Sequence, residues 1–106
     1  MALDLASFAS SRAFADRLAG THDRLDVLVL NAGGVLANRE LTEDGHERQF
    51  QANHLGHFLL TALLREHVVA AAPARIVVVA SSAHKSLKRP IDFDDYQLPI
   101  ARPIDG

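Results

Sequence analysis

The sequence predicts an α/β fold, a parallel sheet covered by helices, and three observations carry that prediction. Leu25-Asp26-Val27-Leu28-Val29-Leu30 is a short apolar run with too few polar positions to alternate, the pattern of a strand buried on both faces. Arg75-Ile76-Val77-Val78-Val79-Ala80 repeats it, and both runs close in small or polar residues, Asn31-Ala32-Gly33-Gly34 and Ser81-Ser82. About forty residues of largely helical character lie between them, room enough for the crossover of a right-handed β-α-β unit.

In chain order, residues 1–5 read as the tail of a strand. A helix follows over about 7–18, with Leu5, Phe8, Ala15 and Leu18 on one face and Arg12, Asp16 and Arg17 free to meet water. Ser7 suits its N-cap and Gly20 its stop. The strand over 25–30 then opens into the floor from Asn31 to Gly34. Glycine permits close approach to the backbone, and ligands of open α/β sheets sit beyond the carboxyl ends of strands. Thr42-Glu43-Asp44 predicts the opening of the next helix, with a capping hydroxyl and acids against the positive dipole end. Gly45 stands where a capping box would place Glu or Gln. From 55 to 64 the helix is apolar nearly all round, so either its own fold or a partner subunit covers it. Lys85, Lys88, Arg89 and Pro90 form a basic, turn-like stretch. Pro99 and Pro103 argue against regular structure later, which makes 85–106 an irregular tail.

The totals exclude several classes. With 106 residues, a net charge of -2 and 48% hydrophobic residues, the chain reads as one soluble unit. Its near-neutral balance gives no electrostatic footprint for nucleic acid. The absence of cysteine rules out a disulfide scaffold or thiolate metal site. No apolar run approaches the ~18 residues a membrane span requires, and no signal peptide is legible, so the cytoplasm is the expected location. His54 and His57 share a helical face without a third ligand, so no metal site is expected. Ser82 and His84 lack the Gly-x-Ser-x-Gly elbow of an α/β hydrolase. Taken singly, Asn31-Ala32-Gly33 also reads as a tight turn, Ser81-Ser82 as a cap or loop, and Asn53 as a buried polar group.

Four motifs in order carry a resemblance: Asp4-Leu5, Asn31-Ala32-Gly33, Asn53-His54-Leu55-Gly56-His57-Phe58 and Val79-Ala80-Ser81-Ser82. Together they resemble the short-chain dehydrogenases/reductases. The stretch from Asn53 to Phe58 and the tail Ile91-Asp92-Phe93-Asp94-Asp95 are most similar to the retinol-dehydrogenase-like branch. The resemblance covers essentially the whole chain and implies a partial Rossmann-type, doubly wound parallel sheet, represented by its central β-α-β portion, that binds NAD or NADP. It implies that Asp4 hydrogen-bonds the adenine with Leu5 beside it, and that Asn31, Ala32 and Gly33 line the cofactor floor. Asn53 would hold a helix distortion and a water of the proton relay. Ser82 would hydrogen-bond a small alcohol or carbonyl substrate and polarise it for hydride transfer. Since the family commonly dimerises through the helix at this position, the resemblance also implies a homo-oligomer through the 52–70 helix. Lys85 to Arg89 reads as a solvated loop, with a contact to a cofactor 2′-phosphate as the alternative.

Two pieces of the family pattern are not matched. No strand with a glycine-rich, pyrophosphate-receiving turn precedes Asp4. The proton-donating Tyr with a Lys four positions later is not matched either, because Tyr96 is followed at that spacing by Ile100. The chain therefore reads as the middle of one NAD(P)-binding domain. It is expected to be inactive by itself and, with a long apolar sheet edge exposed, marginally stable. The alternative is a non-catalytic nucleotide-binding or dimerisation module.

Overall fold

The structure is a computed structural model and describes residues 1–86 and 90–94. Readings that involve Lys88, Arg89, Tyr96, Pro99, Ile100 and Pro103 lie outside the described residues.

Residues 1–4 have no regular structure, and the first element is helix α1, Phe8–Thr21. Ser7 caps it from an extended conformation, its side chain accepting the Ser10 amide at 3.1 Å. The expected stop at Gly20 is corrected: the helix runs through Gly20, and His22 is the C-cap. Gly20 lacks the positive φ of a left-handed terminus. Past it, the His22 amide still reaches the Leu18 carbonyl at 3.0 Å and the Thr21 hydroxyl donates to the Arg17 carbonyl at 2.8 Å.

Strand β1, Val27–Leu30, pairs in parallel with β2, Arg75–Val78, in the register Val27–Arg75 through Leu30–Val78. Further bonds from the Arg75 amide to the Asp26 carbonyl and from the Val79 amide to the Leu30 carbonyl frame the ladder. An exposed Arg24–Asp26 pair at 2.7 Å sits at its entrance; the hydrogen bond from Arg24 holds the Asp26 carboxyl below its ordinary pKa. Both strands are shorter than their apolar runs. Burial on both faces is corrected as well: α3 (Gly56–Ala70) packs on β1, where Leu30 is buried, while Val29 is 55% exposed and Val78 65%. A continuous apolar run marks residues fit for a two-sided sheet, but the described helices cover only part of this one.

The segment between β1 and the next helix is irregular, fastened by a bridge between Leu41 and Glu47. Thr42 does not open a helix there. It is buried in a turn, where its amide reaches the His46 carbonyl at 2.8 Å and Gly45 takes a φ of +82°. The helix begins six residues later as α2, Arg48–Phe50, capped by the buried Glu47. That carboxylate accepts the Gln49 amide at 2.9 Å and the Phe50 amide at 2.7 Å, and two oxygens on two orphan donors outcompete one hydroxyl.

A π-helical turn, Gln51–Leu55, follows, and α3 continues from it. Leu60, Leu64 and Val68 are buried along α3, and α1 packs against this helix through its buried Ser11 and Ala15. Gly56 is required by packing: a Cβ there would lie 2.9 Å from the Leu5 carbonyl oxygen and 3.1 Å from Leu5 Cδ2. Phe58, by contrast, is 70% exposed, so the all-round apolar helix has an uncovered side. A short 3₁₀ turn, Ser82–Ser86, ends the described regular structure. The architecture is a partial Rossmann-type α/β fold, with two parallel strands joined through helix. No described helix is long and apolar enough to cross a membrane.

Candidate functional site

The parallel register sets the site. Because Leu30 stands opposite Val78, the segments leaving the two strands, 31–34 and 79–82, emerge at the same carboxyl edge of the sheet. Beside the first of them lies a pocket of about 160 Å³. Ala32, Gly33, Gly34 and Leu36 line it from the segment after β1, Leu5 from the segment before α1, and Arg48, Gln49, Ala52 and Asn53 from the α2–π turn.

Packing within the chain does not demand the glycines of the floor. A Cβ at Gly34 would meet nothing within 4 Å, and one at Gly33 would meet Asn53 Oδ1 at an ordinary 3.6 Å. The space over them is open, and with Ala32 and Ala52 it forms a wall of small side chains against which a flat ring can lie. Such a surface fits the nicotinamide dinucleotide that the resemblance implies.

Three carboxamides hold the segment between β1 and α2 to the helical turn. Asn53, in the middle of the π turn, accepts the Gly34 amide on Oδ1 at 3.1 Å and donates from Nδ2 to the Gly34 carbonyl at 2.7 Å. Gln49 Oε1 accepts the Leu36 amide at 2.9 Å. The fully buried Gln51 points elsewhere: its Oε1 accepts from the Thr42 hydroxyl and its Nε2 donates to Asp44 at 2.9 Å. Asp44 also accepts the Phe8 amide at 2.9 Å, which links this network to the start of α1. That backbone bond, seconded by Gln51, keeps the Asp44 carboxyl below its ordinary pKa.

Of the residues the sequence singles out, Leu5, Ala32, Gly33 and Asn53 come together in the pocket lining. Asp4 and Asn31 are chain neighbours of lining residues without lining it themselves. Asp4 spends Oδ1 on the Ala6 amide at 2.9 Å, and its other oxygen has no partner among the described residues. Ser82 stands apart, at the start of the 3₁₀ turn. Ser81 accepts the Ala83 amide at 3.0 Å, while Ser82 is exposed and makes no side-chain hydrogen bond among the described residues. Sequence reasoning missed Leu36, Arg48, Gln49 and Ala52. Arg48 is the one charged residue of the lining. Among the described residues no group of three or more His, Asp or Glu could hold a metal ion.

Comparison with known proteins agrees with this architecture. The family model for short chain dehydrogenases matches residues 1–90. Human retinol dehydrogenase 13 is 50% identical over 93 residues, 88% of this chain and 28% of that protein. Mouse retinol dehydrogenase 14 is 52% identical over 88% of this chain and 27% of its own length. A crystal structure of an uncharacterized protein from Mycobacterium Paratuberculosis superposes with a TM-score of 0.71 at 39% identity, covering 90% of this chain and 32% of that one. The chain thus spans less than a third of each of these relatives. With the family model matched over most of its length, the chain belongs to the short-chain dehydrogenase family.

Proposed function

We propose that this protein catalyses hydride transfer between NAD or NADP and a small alcohol or carbonyl compound, as the names of its retinol dehydrogenase relatives suggest. The observation that carries the reading is the meeting, at one carboxyl edge of the sheet, of the small-residue floor and the segment bearing Ser82. When bound, the nicotinamide supplies or accepts the hydride. In this reading, Ala32 and Gly33 form the floor for the cofactor, and Asn31 holds the strand end beside it. Asp4 offers its other carboxylate oxygen to the adenine, with Leu5 as the apolar wall. Asn53 fixes the floor through its two bonds to Gly34 and steadies the helix distortion, and a water of the proton relay is held there. Ser82 donates its hydroxyl proton in a hydrogen bond to the substrate oxygen, so that negative charge developing there is stabilised. The Tyr-x-x-x-Lys pattern is unmatched within residues 1–106, and no residue of this chain is assigned the transferred proton.

The test is kinetic, on the full-length protein. Ser82→Ala is expected to lower kcat about 10²- to 10³-fold, the usual cost of one oxyanion-type donor, with cofactor affinity retained. Unchanged kcat would sink the assignment. A second reading, a non-catalytic module that binds nucleotide or dimerises, is favoured by the exposed Phe58 and Val69 on α3, a face suited to a homo-oligomer through the 52–70 helix. That reading predicts association in sedimentation and no turnover by the whole protein.

A further inference from the structure

Two carboxamides grip the π turn from different segments. Asn53 ties it to the floor at Gly34, while the fully buried Gln51, at its first position, ties it to the turn around Thr42. Chemistry fixes the direction of the second grip. A carboxylate only accepts, so Gln51 must direct Nε2 at Asp44 and Oε1 at Thr42, whose hydroxyl donates. Asp44 Oδ2 accepts a second N–H as well, from the Phe8 amide at 2.9 Å. That amide belongs to the first turn of α1, where the helix itself supplies no acceptor. One carboxylate oxygen thus joins the π turn to the start of α1, and the Phe8 ring lies 5.6 Å from that of His46 in the same region.

Leu5 is fastened to that end of α1. The Asp4 carbonyl accepts the Ser7 amide at 3.1 Å, and the Asp4 amide donates to the Ser10 hydroxyl at 2.9 Å. The pocket therefore has two halves, Leu5 on the α1 side and Ala52 with Asn53 on the π turn. Leu5 also packs at Gly56, but van der Waals contact has no direction, whereas hydrogen bonds fix distance and angle.

We propose that Gln51 and Asp44 are positioning residues of the nucleotide pocket, their bridge holding the Leu5 wall at binding distance from the wall of Ala52 and Asn53. The inference rests on the nucleotide reading of that pocket and deepens it by assigning two residues outside the lining. If the bridged geometry binds best, linkage requires the reverse: a bound nucleotide must strengthen the bridge.

The test is hydrogen exchange and calorimetric titration of the full-length protein with NAD⁺ and NADP⁺. In the unmodified protein, saturation with whichever dinucleotide binds is expected to slow exchange of the Phe8 amide about fivefold. That is the low end for coupled sites, because Asp44 is exposed. The Ser10 amide, capped by Ser7 in the same turn, is the control and should keep its rate. A bridge that only supports the fold would not separate the two amides. By the same linkage, Asp44→Ala should weaken dinucleotide binding about fivefold, and Asp44→Asn, which keeps an oxygen acceptor, should recover most of it. Gln51→Met should weaken it too, and adding Asp44→Ala should then cost little more, since both break one bridge. The exchange experiment needs no variant and so does not depend on how the variants fold. Binding with Phe8 unchanged or slowed equally with Ser10, or an Asp44→Ala protein that binds as tightly as the parent, overturns the positioning role and leaves the nucleotide pocket intact. No binding of either dinucleotide overturns both.

Discussion

Replacing Gly56 by Ala sets two effects of opposite sign against each other. Within a helix, Ala is favoured over Gly by about 1 kcal/mol. The added methyl, however, would meet the Leu5 carbonyl oxygen at 2.9 Å and Leu5 Cβ at 3.2 Å. The first of these contacts is backbone, which cannot step aside as the end of a flexible side chain can. Overpacking of this kind costs about 1–3 kcal/mol, and a contact with backbone falls at the upper half of that range, about 2–3 kcal/mol, so the variant loses about 1–2 kcal/mol net. Urea unfolding followed by far-UV circular dichroism measures the difference. Gly20→Ala is the internal control, since Gly20 also lies inside a helix but a Cβ there meets nothing within 4 Å. It should gain about 0.5–1 kcal/mol. If Gly56→Ala matched or exceeded the parent while Gly20→Ala stabilised, Leu5 could not be packed on the start of α3. The pocket wall that Leu5 forms would then have to be redrawn.

Other outcomes follow from the same geometry. Ser7→Ala removes the acceptor of the Ser10 amide and should cost about 1 kcal/mol, read as a lower urea midpoint. Asn53→Leu orphans the Gly34 amide; because that amide is exposed, stability should fall by only about 1 kcal/mol, but hydrogen exchange at Gly34 should accelerate clearly. Asp44 has a folded pKa below its unfolded value, so its stabilising contribution is complete above about pH 4 and is lost as pH falls through the lower folded value. Acid unfolding of Asp44→Asn should accordingly be less steep in that window, and an unchanged slope would show that the Phe8 and Gln51 bonds do not persist in solution.

Strand centres were legible because the runs around Val27 and Val77 are apolar without interruption, but such a run carries no information about how many layers will cover it. Hence Val29 and Val78 stand exposed where burial was expected. Thr42-Glu43-Asp44 carries the same chemistry as a cap, so the sequence alone places the start of the second helix six residues early. The deciding facts were tertiary: the Thr42 hydroxyl is spent on Gln51, and Gly45 turns the chain so that Glu47 can serve as cap. Four pocket residues were readable from motifs, each on a recognised segment. Arg48 and Gln49 were not, since an arginine and a carboxamide at a helix start look like ordinary solvated surface. Only the return of Leu36 onto Gln49 makes them pocket residues.

The decisive measurement is a titration of the isotopically labelled chain with NAD⁺ and NADP⁺, followed amide by amide by NMR. If the floor is a nucleotide site, saturable shifts will concentrate at Leu5, Ala32, Gly33, Gln49 and Asn53, with α3 beyond Leu60 unmoved. Shifts absent at millimolar ligand, or gathered instead around Phe58 and Val69, would contradict it.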